Sequence, residues 1–300
     1  MDFVTPDIKH IGKIKEALQD NDKKCCEMSV GNTVLWSGHY GVQIAFWEEN
    51  IIYRKQIENG AYSYCCNLTT AKDAKKLFDF IVEMQKGEAN PFRLHCVSME
   101  EMEQIEGWYP GRYRMVCDRD DSDYLYDREK LATLAGKKLH AKRNHIHRFE
   151  EEHSDWVYEK IYEKNKRECE EMVMQWCEHS RVEDSKIQFS RTEEAKLVIQ
   201  AIEHCEEFGL IGGAIRSEGR IIAITLGERL TKDTFVVHFE KANAEIQGAY
   251  ALINREFVRH ELSEYRYVNR EEDLGIEGLR KAKLSYHPET LIAKGIVTEF

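Results

Sequence analysis

Lys283 and Tyr286 stand three residues apart on a short basic segment that Pro288 closes. At helical spacing Leu279, Lys283 and Tyr286 fall within about 60° of one another, with Arg280 and His287 beside them. An ammonium and a phenol aimed at one point can stabilise a developing oxyanion and protonate a departing oxygen, which is what acyl transfer from an activated ester requires. The competing reading is a snorkelling lysine and a tyrosine at the edge of a core. Asp273 lies just ahead and can accept hydrogen bonds from the N–H groups of a helix start, while Gly275 gives the backbone room to turn. It suits a helix cap better than a base. Arg280 suits a phosphate or a carboxylate of the fold equally well.

A second constellation lies mid-chain. From Lys137 to Arg148, eight of twelve residues are Lys, Arg or His, on a segment whose apolar stripe is Leu139, Ile146 and Phe149. One reading is a solvated basic helix packed by one face. The other is a phosphate-binding surface in which Lys138, Lys142, Arg143 and Arg148 attract RNA or an anionic cofactor. His145 and His147 point about 200° apart on a helix and have no carboxylate or cysteine at ligand spacing, so no metal is expected. Ser190 and Ser285 have no partner pattern of a serine hydrolase.

Composition sets the frame for both. A net charge of −11 over 300 residues argues against a protein that coats nucleic acid indiscriminately, but leaves room for a local basic groove. Nine cysteines with adjacent pairs at Cys25-Cys26 and Cys65-Cys66, and no CxxC, favour reduced thiols and a cytoplasmic setting. No apolar run is long enough to span a membrane.

The elements that must position these residues are legible from periodicity. The first half reads as a helix over Ile8–Leu18 and strands over Thr33–Trp36, Gly41–Trp47, Asn50–Gln56 and Ala61–Cys66. A helix from an N-cap at Thr70 to Met84 follows, then a strand over Pro91–Val97, a short helix over Met99–Ile105 and a strand over Tyr113–Val116. The second half reads as a strand over Trp156–Tyr162, helices over Arg167–His179 and Thr192–Phe208, and a meander over Leu210–Arg216, Arg220–Glu228 and Thr234–Phe239. It ends with a helix over Glu245–His260, a strand over Tyr265–Val268, the Lys283 helix and a last strand over Leu291–Val297. The expected organisation is α/β, with an N-terminal domain over 1–130 and a C-terminal domain over 131–300 that begins with a basic joining helix at about 136–152.

This order matches the GNAT acyltransferase fold, and the first half repeats most of it. The stretches Lys137 to His145, Phe239-Glu240-Lys241, Gly248-Ala249-Tyr250, Ile253-Asn254 and Asn269 to Pro288 resemble the bacterial family related to the C-terminal domain of phosphatidylglycerol lysyltransferases, which carries two GNAT folds in tandem. The resemblance implies transfer of an aminoacyl group from aminoacyl-tRNA to an amine or hydroxyl acceptor. It implies Lys283 and Tyr286 as catalytic residues, and His238, Glu240, Asn269, Asp273 and Arg280 as substrate-binding ones. Glu240 would hold the α-amino group, or else form a strand-end ion pair with Lys241. Transfer RNA is the expected partner and the donor, with no other cofactor. The acceptor stays open, and contact with a membrane surface is compatible with it. Acetyltransferases of this fold hold the coenzyme A pyrophosphate on a glycine-rich turn. Here Glu245 to Tyr250 puts an acid and a bulky ring in that turn, which disfavours a coenzyme A thioester. An acyl-CoA-dependent N-acyltransferase and a non-catalytic RNA- or partner-binding protein are the alternatives.

Overall fold

A computed structural model describes residues 1–57, 60–87, 91–179 and 185–300; the side chains of 179 and 185–190, including Ser190, lie outside the described residues. The chain opens with α1 (Ile11–Leu18), α2 (Val30–Leu35) and α3 (Ser37–Tyr40), then builds β1 (Val42–Trp47), β2 (Asn50–Gln56), β3 (Tyr62–Cys65), α4 (Ala74–Lys86), β4 (Arg93–Val97), α5 (Met99–Trp108) and β5 (Tyr113–Cys117). There follow β6 (Asp123–Asp127), α6 (Arg128–Thr133), the joining helix α7 (His140–Glu152), β7 (Val157–Lys160), α8 (Lys166–His179), α9 (Ser185–Glu203) and α10 (Cys205–Phe208). The last part comprises β8 (Ile211–Ser217), β9 (Arg220–Arg229), β10 (Thr234–Ala242), α11 (Ala249–Glu261), β11 (Tyr267–Asn269), α12 (Glu277–Leu284), β12 (Thr290–Ile292) and β13 (Gly295–Glu299).

Two mixed sheets result, ordered β1-β2-β3-β4-β13-β5 and β12-β6-β11-β10-β9-β8-β7. Each contains one strand from the other half of the chain. β13 inserts between β4 and β5, and β6 inserts between β12 and β11. A buried ammonium marks the exchange: Lys294 Nζ, one residue before β13, donates to Asp123 Oδ1 at 2.7 Å at the start of β6, and to Glu27 Oε1 at 2.7 Å. One apolar core fills the space between the sheets, with Ile44, Cys65, Val198, Ile224 and Phe239 among its members. A second lies between the second sheet and α6, α7 and α11, and a third under α4 and α5.

The structure departs from the sequence reading at several points, four of which shape the fold. The expected strand over Thr33–Trp36 is helix α2, because Ser29 Oγ accepts from Asn32 N and Thr33 Oγ1 bonds back to Ser29 O. That cap and a buried apolar face outweigh the β propensity of Thr33 and Val34. The cap of α4 is Asp73 and not Thr70: its side chain accepts from Lys76 N at 3.1 Å. Tyr124 to Asp127, assigned to no element, is β6. Finally, the single strand expected over Leu291–Val297 is two strands in different sheets, parted at Ala293-Lys294.

Candidate active site

The site begins where two neighbouring strands part. β10 and β11 pair in parallel only through Thr234, Phe235 and Val236. Beyond that a bulge between Val237 and Phe239 turns β10 against β9, and β10 runs on to Ala242 while the chain after Asn269 leaves the sheet. Charged side chains fill the wedge. Arg270 Nη2 donates to Glu240 Oε1 at 2.9 Å, and Asn254 Nδ2, from α11, donates to Glu240 Oε2 at 2.9 Å. Two atoms flanking this carboxylate, Arg270 Nη1 and Asn254 Oδ1, are buried with no hydrogen-bond partner. Among the described residues Gln85, Arg93, Arg128 and His153 each leave one such atom elsewhere, but these two flank a single carboxylate and suit the polar groups of a ligand.

Aromatic rings wall the wedge. The Arg270 guanidinium lies 4.8 Å from the centroid of Tyr286 and 5.6 Å from that of Tyr126. Lys142 Nζ, reaching in from α7, is 4.1 Å from the Tyr286 ring. Burial, reinforced by the Arg270 charge, draws the Lys142 amine below its ordinary pKa, while burial pushes the Tyr286 phenol up and keeps it protonated. Of the basic run, Lys142 alone is recorded against the wedge. Arg143 closes α6 by donating to Leu134 O and to Gly136 O at 2.8 Å, Arg148 pairs with Glu152 at 2.8 Å, and Lys138 is exposed. Arg143 is committed to the fold, whereas Lys138 is exposed and Arg148 pairs only along the exposed face of its own helix.

Lys283 does something other than the sequence suggested. Its Nζ donates to the carbonyls of Arg270 at 2.6 Å, Glu271 at 3.1 Å and Glu272 at 2.5 Å, so all three N–H groups are used. It tethers the strap that follows β11 and has no free donor for an oxyanion. The stripe is also split: Lys283 and Tyr286 are buried, whereas Leu279 is 36% exposed. Asn269 fixes the start of the strap, donating to Lys24 O at 2.7 Å and Asp123 Oδ2 at 2.8 Å and accepting from Glu271 N at 2.6 Å. Asp273 anchors its end, accepting from Arg280 Nη2 at 2.7 Å, Tyr124 Oη at 2.5 Å and Gly275 N at 3.0 Å. Arg280 holds that carboxyl well below the usual carboxylate range, and also binds Asp120 at 2.5 Å. Asp273 and Arg280 are thus one ion pair of the fold, and the cap position of α12 is Ile276.

His238 sits on the bulge between two carboxylates, with Nε2 at 2.9 Å from Glu228 Oε1 and Nδ1 at 2.8 Å from Glu271 Oε1. Desolvation alone would lower its pKa, but the two acids outweigh it and raise it to about 9. Glu228 also accepts from Gly31 N at 2.6 Å, so this imidazolium knits α2 to the strap. Among the substrate-binding candidates, only Glu240 lies in the wedge. Arg270, Asn254 and Tyr126 were not singled out from sequence, although Asn254 and Arg270 both fall inside the quoted stretches.

Over residues 20–297 the chain matches the family of the phosphatidylglycerol lysyltransferase C-terminal domain. Its fold superposes on a conserved protein of unknown function from Bacteroides thetaiotaomicron with a TM-score of 0.89 at 34% identity, covering 100% of both chains. L-PGS from Bacillus licheniformis gives a TM-score of 0.64 at 13% identity, over 98% of this chain and 92% of that one, a likeness of fold alone. An uncharacterised protein of Mycoplasmoides gallisepticum is 22% identical over 231 residues, 73% of this chain and 70% of that protein.

Proposed function

Since the chain belongs to the family of the phosphatidylglycerol lysyltransferase C-terminal domain, a family of aminoacyl transferases on GNAT-like folds, we propose that its β10–β11 wedge takes the aminoacyl end of an aminoacyl-tRNA and passes the acyl group to an amine or hydroxyl acceptor. The observation that carries this is the pair of unmatched buried atoms beside Glu240. An aminoacyl ester presents an ammonium with three donors and a carbonyl with acceptor lone pairs. Glu240 and Asn254 Oδ1 suit the first, and Arg270 Nη1 suits the second and the oxyanion that develops from it. On binding, the ammonium takes a Glu240 oxygen and displaces the Arg270 link.

In the transfer a bond forms from the acceptor nitrogen or oxygen to the carbonyl carbon, and the ribose ester C–O bond breaks. The acceptor's proton passes to the ribose oxygen. Lys142, with its lowered amine pKa, suits the relay, and the protonated Tyr286 phenol suits a hydrogen bond to the departing oxygen. The turn before α11 supports the aminoacyl reading over coenzyme A. A Cβ on Gly248 would lie 2.4 Å from His145 O, so a carbonyl oxygen of α7 crowds the helix N-terminus where a diphosphate would bind. No helix among the described residues is long and apolar enough to cross a membrane.

The test is a transfer assay with labelled aminoacyl-tRNAs and a panel of amine and hydroxyl acceptors. Glu240→Gln and Lys142→Met should each lower transfer by about 100-fold without loss of folding. Stabilisation by acetyl-CoA and none by an aminoacyl-tRNA mimic in a melting experiment would overturn the reading.

A further inference from the structure

The first sheet has a wedge of the same kind. Among the described residues the only parallel pairings are β10 with β11 and β3 with β4, each joined by a crossover helix, α11 and α4 respectively. β3 and β4 touch through a single register pair, Tyr64 and Leu94, and then part. The residues that follow are Cys65 on one strand and His95 and Cys96 on the other, in the topological place that Glu240 and Arg270 occupy in the second sheet.

A ligating atom of Cys65, of His95 and of Cys96 all lie within 4.8 Å of one another. Consecutive residues of a regular strand point to opposite faces, so His95 and Cys96 would not normally meet. Here Cys96 has φ +56°, and the pairing of β4 with β13 shifts between Gly295 and Val297. A left-handed conformation at a non-glycine residue is strained, and such strain concentrates at functional sites. It turns the Cys96 thiol toward the His95 ring. Ser63 Oγ, 3.0 Å from His95 Nδ1, fixes that ring from outside the cluster.

We infer that Cys65, His95 and Cys96 form a binding site for a thiophilic divalent cation of the Zn²⁺ class. Two sulfurs and one imidazole nitrogen are three of the four donors of a tetrahedral zinc site, and the separations need to close by only about 1 Å to reach bonding geometry. A water supplies the fourth position, since Glu27 Oε1, 3.3 Å from Cys96 Sγ, is already held by Lys294 Nζ at 2.7 Å. On binding, the two thiols release their protons to solvent, so the ion bound to two thiolates leaves the cluster without net charge. The other acidic thiol cluster, Cys26 with Asp123 and Glu272, is not such a site. Lys294 Nζ already lies 2.7 Å from Asp123, 3.6 Å from Glu272 and 3.7 Å from Cys26, and is the cation there.

The full chain, stripped with chelator, should be titrated with Co²⁺ and Zn²⁺. The expected result is one Co²⁺ per chain with intense tetrahedral d–d bands and a thiolate charge-transfer band, displaced by Zn²⁺, and a higher melting temperature with Zn²⁺. Cys65→Ala and Cys96→Ser should abolish the charge-transfer band or weaken binding by about 10–100-fold, while Cys26→Ser leaves it intact. A folded wild-type chain that shows no thiolate–Co²⁺ band overturns the inference, whatever the variants do. So does a band that survives the double variant at Cys65 and Cys96.

Discussion

At the scale of single residues, the chemistry of this protein is decided by which polar atoms have already been spent on the fold. Lys283, Asp273, Arg280, Asn269 and His238 have types that suit catalysis, and each is held by the strap or its neighbours. Among the buried polar atoms left without a partner, those of Arg270 and Asn254 flank Glu240, and neither residue carried a signal of its own in the sequence. A histidine ahead of Phe239 on a strand reads as a ligand or as a satisfied core residue with equal ease. Only the presence of Glu228 and Glu271 on either side settles it. The consequence is a pH dependence of stability. The folded pKa of His238 is about 9, above an unfolded value of about 6.5. Its contribution, on the order of 3 kcal/mol, is therefore complete below the unfolded value and is lost as pH rises through the folded one. Denaturant titrations of the wild type should show stability falling between those two pH values. His238→Gln should be less stable on the acid side and flatter across the interval. An identical slope in wild type and variant would show that the imidazolium is not the source.

At the scale of elements, periodicity located nearly every helix and strand, because each buries a face with regular spacing. It failed where local and tertiary signals conflict. α2 carries β-branched residues, yet Ser29 caps it and both sheets' shared core receives it. The final apolar run has an unbroken strand pattern, and only the burial of Lys294 against Asp123 and Glu27 shows why it must change sheets midway. The joining helix α7 reaches the wedge through Lys142 while its backbone seats on the start of α11. That contact depends on a missing side chain. Gly248 has φ +93°, and an added Cβ would meet His145 O at 2.4 Å and Phe149 Cβ at 3.0 Å. Gly248→Ala should therefore cost at least about 2 kcal/mol and displace Lys142 from the wedge, lowering transfer as well as stability. Denaturant midpoints together with the transfer assay check this. A variant with an unchanged midpoint would mean that the α7–α11 seat is looser than it looks.

At the scale of the whole molecule, the two sheets are interlocked by exchange of β6 and β13. Composition and length pointed to two units, and no local pattern tells a strand which sheet it will join. A fragment of residues 1–130 keeps β4 and β5 but lacks the strand that bridges them, so it should present two open strand edges and self-associate. Co-expression with residues 131–300 should restore a one-to-one complex of the two fragments, read by size exclusion and near-ultraviolet circular dichroism. A monomeric 1–130 fragment with a cooperative melt would sink this. The same exchange sets a clock for biosynthesis. About 200 residues separate the end of β4 from the start of β13, and at ribosomal speed that is roughly 10–40 s. For that interval the first-made sheet waits with its centre unfilled and its edges ready to pair with the wrong chain. The emerging protein must be shielded until β13 arrives, which makes its yield in a cell a matter of timing as much as of final stability.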